Sequence, residues 1–153
     1  MAHAPARSSV SVLFACRDNG GLSLLAEALA NGRAPRLRAF SAGVSAAGAV
    51  DLAAVECLHA ARVPADGLSA KPLELFTFSG APKIDVVVSL VESVEKDAQR
   101  FAERSRCAVH HRWGFEDVAA IMDTHVRRLA YRRLLPDLTA AIGALGRDWA
   151  FAA

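Results

Sequence analysis

The sequence predicts an α/β fold: a three-layer sandwich in which a four-stranded parallel sheet carries helices on both faces. Two observations favour it. Short strand-like segments alternate with segments of helical spacing along the whole chain. The first of them, VSVLFA at 10–15, is β-branched and apolar on both faces, which is typical of a strand buried in a parallel sheet. Such alternation implies right-handed crossovers, with the working site at the carboxyl ends of the strands.

The first half of the chain contains two predicted strand–helix pairs. VSVLFA at 10–15 is a short apolar strand, and SLLAEALAN at 23–31 follows with helical spacing and an Asn31-Gly32 stop. LRAFSAG at 37–43 is predicted as the second strand, and AAVECLHAARV at 53–63 as the second helix. KPLELF at 71–76 is predicted as a turn of helix or a loop.

The second half repeats this arrangement and ends in a long helix. IDVVVSL at 84–90 is the clearest strand, SVEKDAQRFAER at 93–104 the next helix, and CAVHHRW at 107–113 a shorter last strand. Residues 122–145 are predicted as a helix that Pro136 kinks or divides. Its apolar stripe consists of Val126, Leu129, Leu134, Leu138, Ile142 and Leu145.

Length and composition favour one globular domain over residues 9–153, preceded by a flexible lead-in at 1–8. A net charge of +2 with no basic run argues against a nucleic-acid partner, and no segment approaches the ~20 apolar residues that span a membrane. Three separated cysteines without a CxxC pair favour a reducing, cytoplasmic location. We expect no cofactor and no metal, because the histidines at 110, 111 and 125 with Cys107 fit no usual ligand spacing.

The segment CRDNGGLS places a thiol between a strand and a helix. Partial positive charge at a helix N-terminus is expected to lower the pKa of Cys16. The backbone N–H groups of this loop can form an anion nest, and two glycines can let that backbone turn inward. Asn19 tolerates left-handed dihedral angles, and Ser23 can donate a hydrogen bond to the sulfur. The predicted anion-binding loop is Arg17, Asp18, Asn19, Gly20, Gly21, Leu22 and Ser23.

The stretch CRDNGGLSLLAE resembles the C-x-x-N-x-x-R-S-x-x-A-E signature of low-molecular-weight protein tyrosine phosphatases and thioredoxin-coupled arsenate reductases. The likeness continues in FSAGV at 40–44, SAKPL at 69–73, IDVVVSL at 84–90, HRWGFEDVA at 111–119 and YRRLLPDL at 131–138. The resemblance implies a flavodoxin-like sheet, phosphotyrosine protein phosphatase I-like, with Cys16 as nucleophile and Asp117 as the acid that protonates the leaving group.

Three departures from the family pattern bear on catalysis. Leu22 stands where the family has an arginine, and losing one transition-state donor typically costs about a hundred- to a thousandfold in rate. Leucine also removes a cation beside the thiol, so Cys16 should be less acidic than its family counterparts. Val118 replaces the proline that follows the acid, and no relay cysteine follows the third strand.

We therefore expect a divergent phosphatase-like protein with a cysteine anion-binding loop. If active, it hydrolyses phosphomonoesters of the phosphotyrosine type through a phosphocysteine. The alternative is an impaired pseudophosphatase that binds phosphate, another oxyanion, or a phosphorylated small molecule or protein. An arsenate reductase-like role, or redox sensing with Cys57 or Cys107, is less favoured. Open questions are whether Arg17 replaces the missing clamp, whether Asp117 is merely a capping carboxylate, and whether Leu22 fills the pocket or packs on the first helix.

Overall fold

A computed structural model describes residues 9–45, 49–105 and 109–150, with the backbone alone at 149 and 150. Its sheet has four parallel strands: β1 Val10–Cys16, β2 Leu37–Gly43, β3 Val86–Ser89 and β4 Val109–Arg112. The spatial order is β2-β1-β3-β4, so β1 and β3 are the central strands. This confirms the predicted fold class.

Within the described ranges, four α-helices cover the sheet: α1 Leu22–Arg33, α2 Leu52–Ala60, α3 Glu95–Arg104 and α4 Thr124–Ala150. Short 3₁₀ turns lie at Leu73–Thr77, Glu92–Val94 and Val118–Ala120. Because strand side chains alternate between faces, β1 contributes to two cores. Val12 and Phe14 pack with α1, α2 and α4, whereas Leu13 packs with α3 on the other face. Helices therefore lie on both faces of the sheet.

The first helix does not stop at Asn31-Gly32, as the sequence predicts, but continues to Arg33. The Asn31 side chain instead bridges α1 to β2. Its amide nitrogen donates to the Ala39 carbonyl at 3.1 Å, and its oxygen accepts from the Ala39 N–H at 2.8 Å. This pair of bonds to a neighbouring strand satisfies the side chain without ending the helix.

The last helix is continuous through Pro136, and its predicted apolar stripe is buried only in its later turns. Val126 and Leu129 are 48% and 50% exposed, so their assignment to the core is wrong. Ala130 and Tyr131 take the inward positions in these first turns. No helix in the described part of the chain is long and apolar enough to cross a membrane. The predicted lead-in at 1–8, and Cys107, lie outside the described residues.

Candidate functional site

The cysteine loop, residues 16–23, lies at the carboxyl edge of the central strand β1. Strand β1 ends at Cys16 and α1 begins at Leu22, so the loop turns tightly between them. Asn19 has the left-handed φ of 55° that this turn requires. A Cβ atom at Gly43, the last residue of β2, would lie 2.7 Å from the Asp18 carbonyl carbon. The glycine of FSAGV therefore lets β2 end directly against the loop.

Polar groups of the loop converge on the Cys16 sulfur, which is almost fully buried. The Asn19 N–H donates to Sγ at 3.2 Å, and the Ser23 hydroxyl lies 2.8 Å from Sγ. The Asn19 side-chain amide donates to the same hydroxyl at 2.6 Å. Because the hydroxyl oxygen accepts this bond, its own proton is available to the sulfur. Cys16, Asn19 and Ser23 thus form one hydrogen-bonded cluster.

The expectation of a lowered Cys16 pKa is wrong. Burial raises the pKa of the Cys16 thiol above its ordinary value, because the charged thiolate loses water. Hydrogen bonds from Ser23 and Asn19 oppose this rise in the pKa without cancelling it, and the nearby Asp18 charge adds to it. The neutral thiol is therefore the favoured form near neutral pH.

Asp18 places a carboxylate inside the loop itself. Its Oδ1 accepts a hydrogen bond from the Gly20 N–H at 3.0 Å and lies 3.9 Å from the Cys16 sulfur, within reach of the thiol proton. Two of the loop amides expected to face an anion are thus already occupied. The Asn19 amide serves the sulfur, and the Gly20 amide holds an anionic oxygen of the protein.

The two loop glycines are required mainly by packing against other segments. A Cβ atom at Gly21 would lie 1.8 Å from the Tyr131 hydroxyl oxygen of α4. One at Gly20 would lie 3.0 Å from the Ala49 carbonyl oxygen. Neither glycine has a positive φ, so their contribution is space rather than a left-handed turn.

A network that the sequence analysis missed braces this side of the loop. Asp51 donates its N–H to the Gly20 carbonyl at 2.6 Å, and its side chain caps α2 through the Ala53 N–H. The same carboxylate accepts from the buried Tyr131 hydroxyl at 2.9 Å and from Arg127 at 2.7 Å. These residues are far apart in sequence and carry no motif, so only the fold brings them to the loop.

Another residue that the sequence analysis missed is Lys71, which supports the loop through Asn19. Its N–H donates to Asn19 Oδ1 at 2.7 Å, and its ammonium lies 3.8 Å from the Glu27 carboxylate. Burial raises the pKa of Glu27, and the Lys71 charge opposes that rise in the pKa. The segment SAKPL at 69–73, which resembles the family, therefore provides a backbone hydrogen bond to Asn19.

The position that the family signature gives to arginine is apolar and buried here. Leu22 is 4% exposed and belongs to the larger core cluster. It packs inward with α1, one of the two arrangements that the sequence left open. No charged group is supplied to the loop from this position.

Arg17 and Asp117 form an ion pair beside the loop. The Arg17 guanidinium lies 3.3 Å from the Asp117 carboxylate, and both side chains are partly exposed. Asp117 makes no side-chain capping bond to the following 3₁₀ turn, so the capping alternative is not what the structure shows. It lines an open cleft of about 690 Å³ with Phe115 and Lys96. Because Arg17 directly follows Cys16 in the sequence, this ion pair holds Asp117 beside the cysteine loop.

The histidines do not assemble a metal site in the part of the chain that the structure describes, where no three potential ligands cluster. His110 instead bonds the Ser89 hydroxyl at 2.9 Å and the Gln99 amide oxygen at 2.8 Å. These bonds tie β4 to β3 and α3.

The parallel sheet and its cysteine loop define a flavodoxin-like α/β protein with a thiol at the carboxyl edge. A sequence model of the low molecular weight phosphotyrosine protein phosphatases matches residues 11–131. The chain therefore belongs to the low molecular weight phosphotyrosine protein phosphatase family. Comparison with curated protein sequences gave no match.

Three solved structures illustrate the likeness. The low molecular weight protein tyrosine phosphatase from T. tengcongensis is 24% identical, with TM-score 0.71 over 92% of this chain and 99% of that one. Wzb of Vibrio vulnificus, in complex with benzylphosphonate, is 16% identical, with TM-score 0.73 over 92% and 99%. Arsenate reductase from Archaeoglobus fulgidus is 24% identical, with TM-score 0.61 over 86% and 98%. At these identities the likeness shows the shared fold.

Proposed function

We propose that this protein is an impaired phosphatase whose cysteine loop binds phosphate, another oxyanion or a phosphorylated partner. Its hydrolysis of phosphomonoesters is slow at most. The observation that carries the proposal is the burial of Leu22, which is 4% exposed in the core. An apolar side chain held there cannot supply the two charge-assisted hydrogen bonds that an arginine gives to a phosphoryl group.

The state of the thiol supports the same conclusion. The raised pKa of Cys16 leaves little thiolate near neutral pH, and the thiolate is the nucleophile. A neutral thiol also does not repel a bound oxyanion. The loss of the arginine and the protonation of the cysteine together leave a site better suited to holding an anion than to attacking one.

Two observations support anion binding by the loop backbone. The Gly20 amide already holds the anionic oxygen of Asp18, so its N–H points where such an oxygen is bound. Wzb of Vibrio vulnificus, which shares the fold, is in complex with benzylphosphonate, and an arsenate reductase of the same fold is in its phosphate binding state. An oxyanion entering this loop competes with Asp18 for the Gly20 amide.

Residual hydrolysis is the second candidate, favoured by the position of Asp117 beside the loop. In that reaction the Cys16 thiolate attacks phosphorus and the bond to the leaving oxygen breaks. Asp117 gives that oxygen its proton, which yields an alcohol and a phosphocysteine. Water then cleaves the phosphorus–sulfur bond and releases phosphate. The first of these steps needs a thiolate, which the buried site disfavours.

Two measurements on one set of proteins separate these functions. Benzylphosphonate binding is measured by calorimetry and aryl-phosphate hydrolysis by product release, for the wild type, Cys16→Ser and, as a matched control, Cys57→Ala. We expect Cys16→Ser to keep binding. Wild-type turnover should be at least about a hundredfold slower than that of the T. tengcongensis phosphatase assayed alongside. Comparable turnover that Cys16→Ser abolishes would support the hydrolase instead, and absence of phosphonate binding would contradict the anion site.

A further inference from the structure

A second cavity lies at the opposite, amino edge of the sheet. It has a volume of about 300 Å³ and is formed where the end of α1 and the start of β2 meet the last turns of α4. Three arginines line it: Arg33, Arg36 and Arg147. The cysteine loop lies at the carboxyl edge, so this arginine cavity is a separate place in the fold.

The charges of the arginine cavity are not balanced by acidic side chains. No carboxylate in the described part of the chain pairs with these three arginines, and none lines the cavity. The one hydrogen bond described for Arg33 goes to a neutral group, the Ala61 carbonyl, at 2.8 Å, so it leaves the charge of the guanidinium unbalanced. Among the described arginines, Arg17, Arg127 and Arg128 pair with carboxylates, whereas the three arginines of the cavity do not.

Helix ends explain only part of this charge. Arg33 and Arg147 lie in the last turns of α1 and α4, where cations are commonly favoured. Each helix end carries roughly half a negative charge, so two ends offset about one of the three positive charges. Arg36 lies on neither helix, because it precedes β2. A positive excess of about two charges remains.

Two glycines of α4 keep the arginine cavity open. A Cβ atom at Gly143 would lie 3.3 Å from Nη1 of Arg147, so the guanidinium folds back over a position without a side chain. A Cβ atom added at Gly146 would lie 3.7 Å from the Cβ atom of Ala34, which also lines the cavity. Glycine inside a helix is destabilising by roughly 0.5–1 kcal/mol relative to alanine, so two within one turn call for a packing or functional reason.

We propose that the arginine cavity binds a small phosphorylated molecule bearing one or two phosphate groups. Guanidinium groups match phosphate oxygens in geometry and charge. A volume of 300 Å³ is at the lower end for small-molecule sites, which suits a compact ligand rather than a polymer. This site is independent of the function proposed for the cysteine loop.

Inorganic pyrophosphate is the probe, titrated into the full chain and followed by the backbone amide signals in NMR. We expect saturable shifts at Arg36, Gly143 and Gly146 that define one affinity. Arg36→Gln and Arg147→Gln should each weaken it about tenfold or more, as the loss of a hydrogen bond from a charged group implies. Arg133→Gln is the matched control. It removes an exposed arginine of α4 that does not line the cavity, so the affinity should be unchanged.

A variant that fills the cavity separates loss of binding from loss of folding. Gly143→Leu replaces a helix glycine by a good helix former, so the fold is expected to be kept while the leucine displaces Arg147 and closes the cavity. Its pyrophosphate affinity should fall with an undiminished melting temperature. The proposal is overturned if these amides do not respond, if Arg133→Gln weakens binding equally, or if Gly143→Leu binds as the wild type does. Shifts confined to the cysteine loop would overturn it as well, whereas they would support the function proposed for that loop.

Discussion

Replacing Asp18 by asparagine tests whether this carboxylate keeps the Cys16 thiol protonated. Asparagine has nearly the same shape and retains an Oδ1 that can accept the Gly20 N–H, so the 3.0 Å bond and the turn are preserved. The change removes one negative charge beside the sulfur. Because that charge raises the pKa of Cys16, its loss lowers the pKa and increases the thiolate fraction near neutral pH.

The size of the effect follows from the distance of 3.9 Å between Sγ and Oδ1. Two unit charges about 4 Å apart repel by about 1 kcal/mol in bulk water and by about 4 kcal/mol at an effective dielectric constant of 20. Asp18 is only partly exposed, so the bulk-water figure is a lower limit. About 1 kcal/mol corresponds to roughly fivefold more thiolate. Because a less basic thiolate is also a weaker nucleophile, alkylation of Cys16 should be about two- to fivefold faster.

The assay is alkylation by iodoacetamide at pH 7, with modification of Cys16 followed by peptide mass spectrometry so that the other cysteines do not contribute. Asp66→Asn, which removes the charge of an exposed aspartate outside the loop, is the matched control and should react like the wild type. An unchanged or slower Cys16 reaction in a folded Asp18→Asn protein would refute the assignment of this charge. It would leave burial alone as the cause of the raised pKa.

Three further changes test other parts of the site. Leu22→Arg should lower the free energy of unfolding by at least about 2 kcal/mol, because a buried apolar side chain is lost, yet raise aryl-phosphate turnover. Unchanged stability and turnover would contradict both. Gly21→Ala should destabilise by about 1–3 kcal/mol or more in urea unfolding, because its methyl meets the Tyr131 hydroxyl. A neutral result would argue against that contact. The raised pKa of Glu27 predicts stability that is fully present below its ordinary value of 4.5 and lost as pH rises through the folded pKa. In urea unfolding from pH 4 to 8, Glu27→Gln should lose less stability than the wild type, and an equal loss of stability would exclude Glu27 as its source.

Local sequence patterns were sufficient to predict the sheet and the position of the loop. The apolar, β-branched runs at 10–15 and 84–90 predict strands because a doubly covered parallel sheet needs apolar residues on both faces. The spacing of Cys16, Asn19 and Ser23 is set by one tight turn, so the eight residues from 16 to 23 are enough to predict the loop. Asparagine at position 19 is compatible with a left-handed backbone, and the structure has φ of 55° there.

Properties that depend on distant segments were not predictable in this way. The pKa of Cys16 depends on how completely the surrounding elements exclude water, and burial reversed the direction expected from the helix end. The need for glycine at position 21 comes from Tyr131, which approaches only when α4 packs on the loop. The exposed Val126 and Leu129 satisfy a helical stripe in sequence, but Ala130 and Tyr131 take the inward positions in these turns of α4.

The charge balance of the loop explains why Leu22 and a protonated Cys16 occur together. In a loop with an arginine, the cation offsets a thiolate and a bound phosphoryl group that otherwise repel each other. With leucine at that position, a thiolate beside Asp18 would put two negative charges about 4 Å apart, and Arg17 would be the loop's one cation. Arg17 does not relieve this, because it is paired with Asp117 at 3.3 Å. Protonation of the thiol removes one of the two charges, so the neutral form follows from the leucine as well as from burial. Restoring reactivity therefore requires a change in charge, either the loss of Asp18 or the return of a cation at position 22.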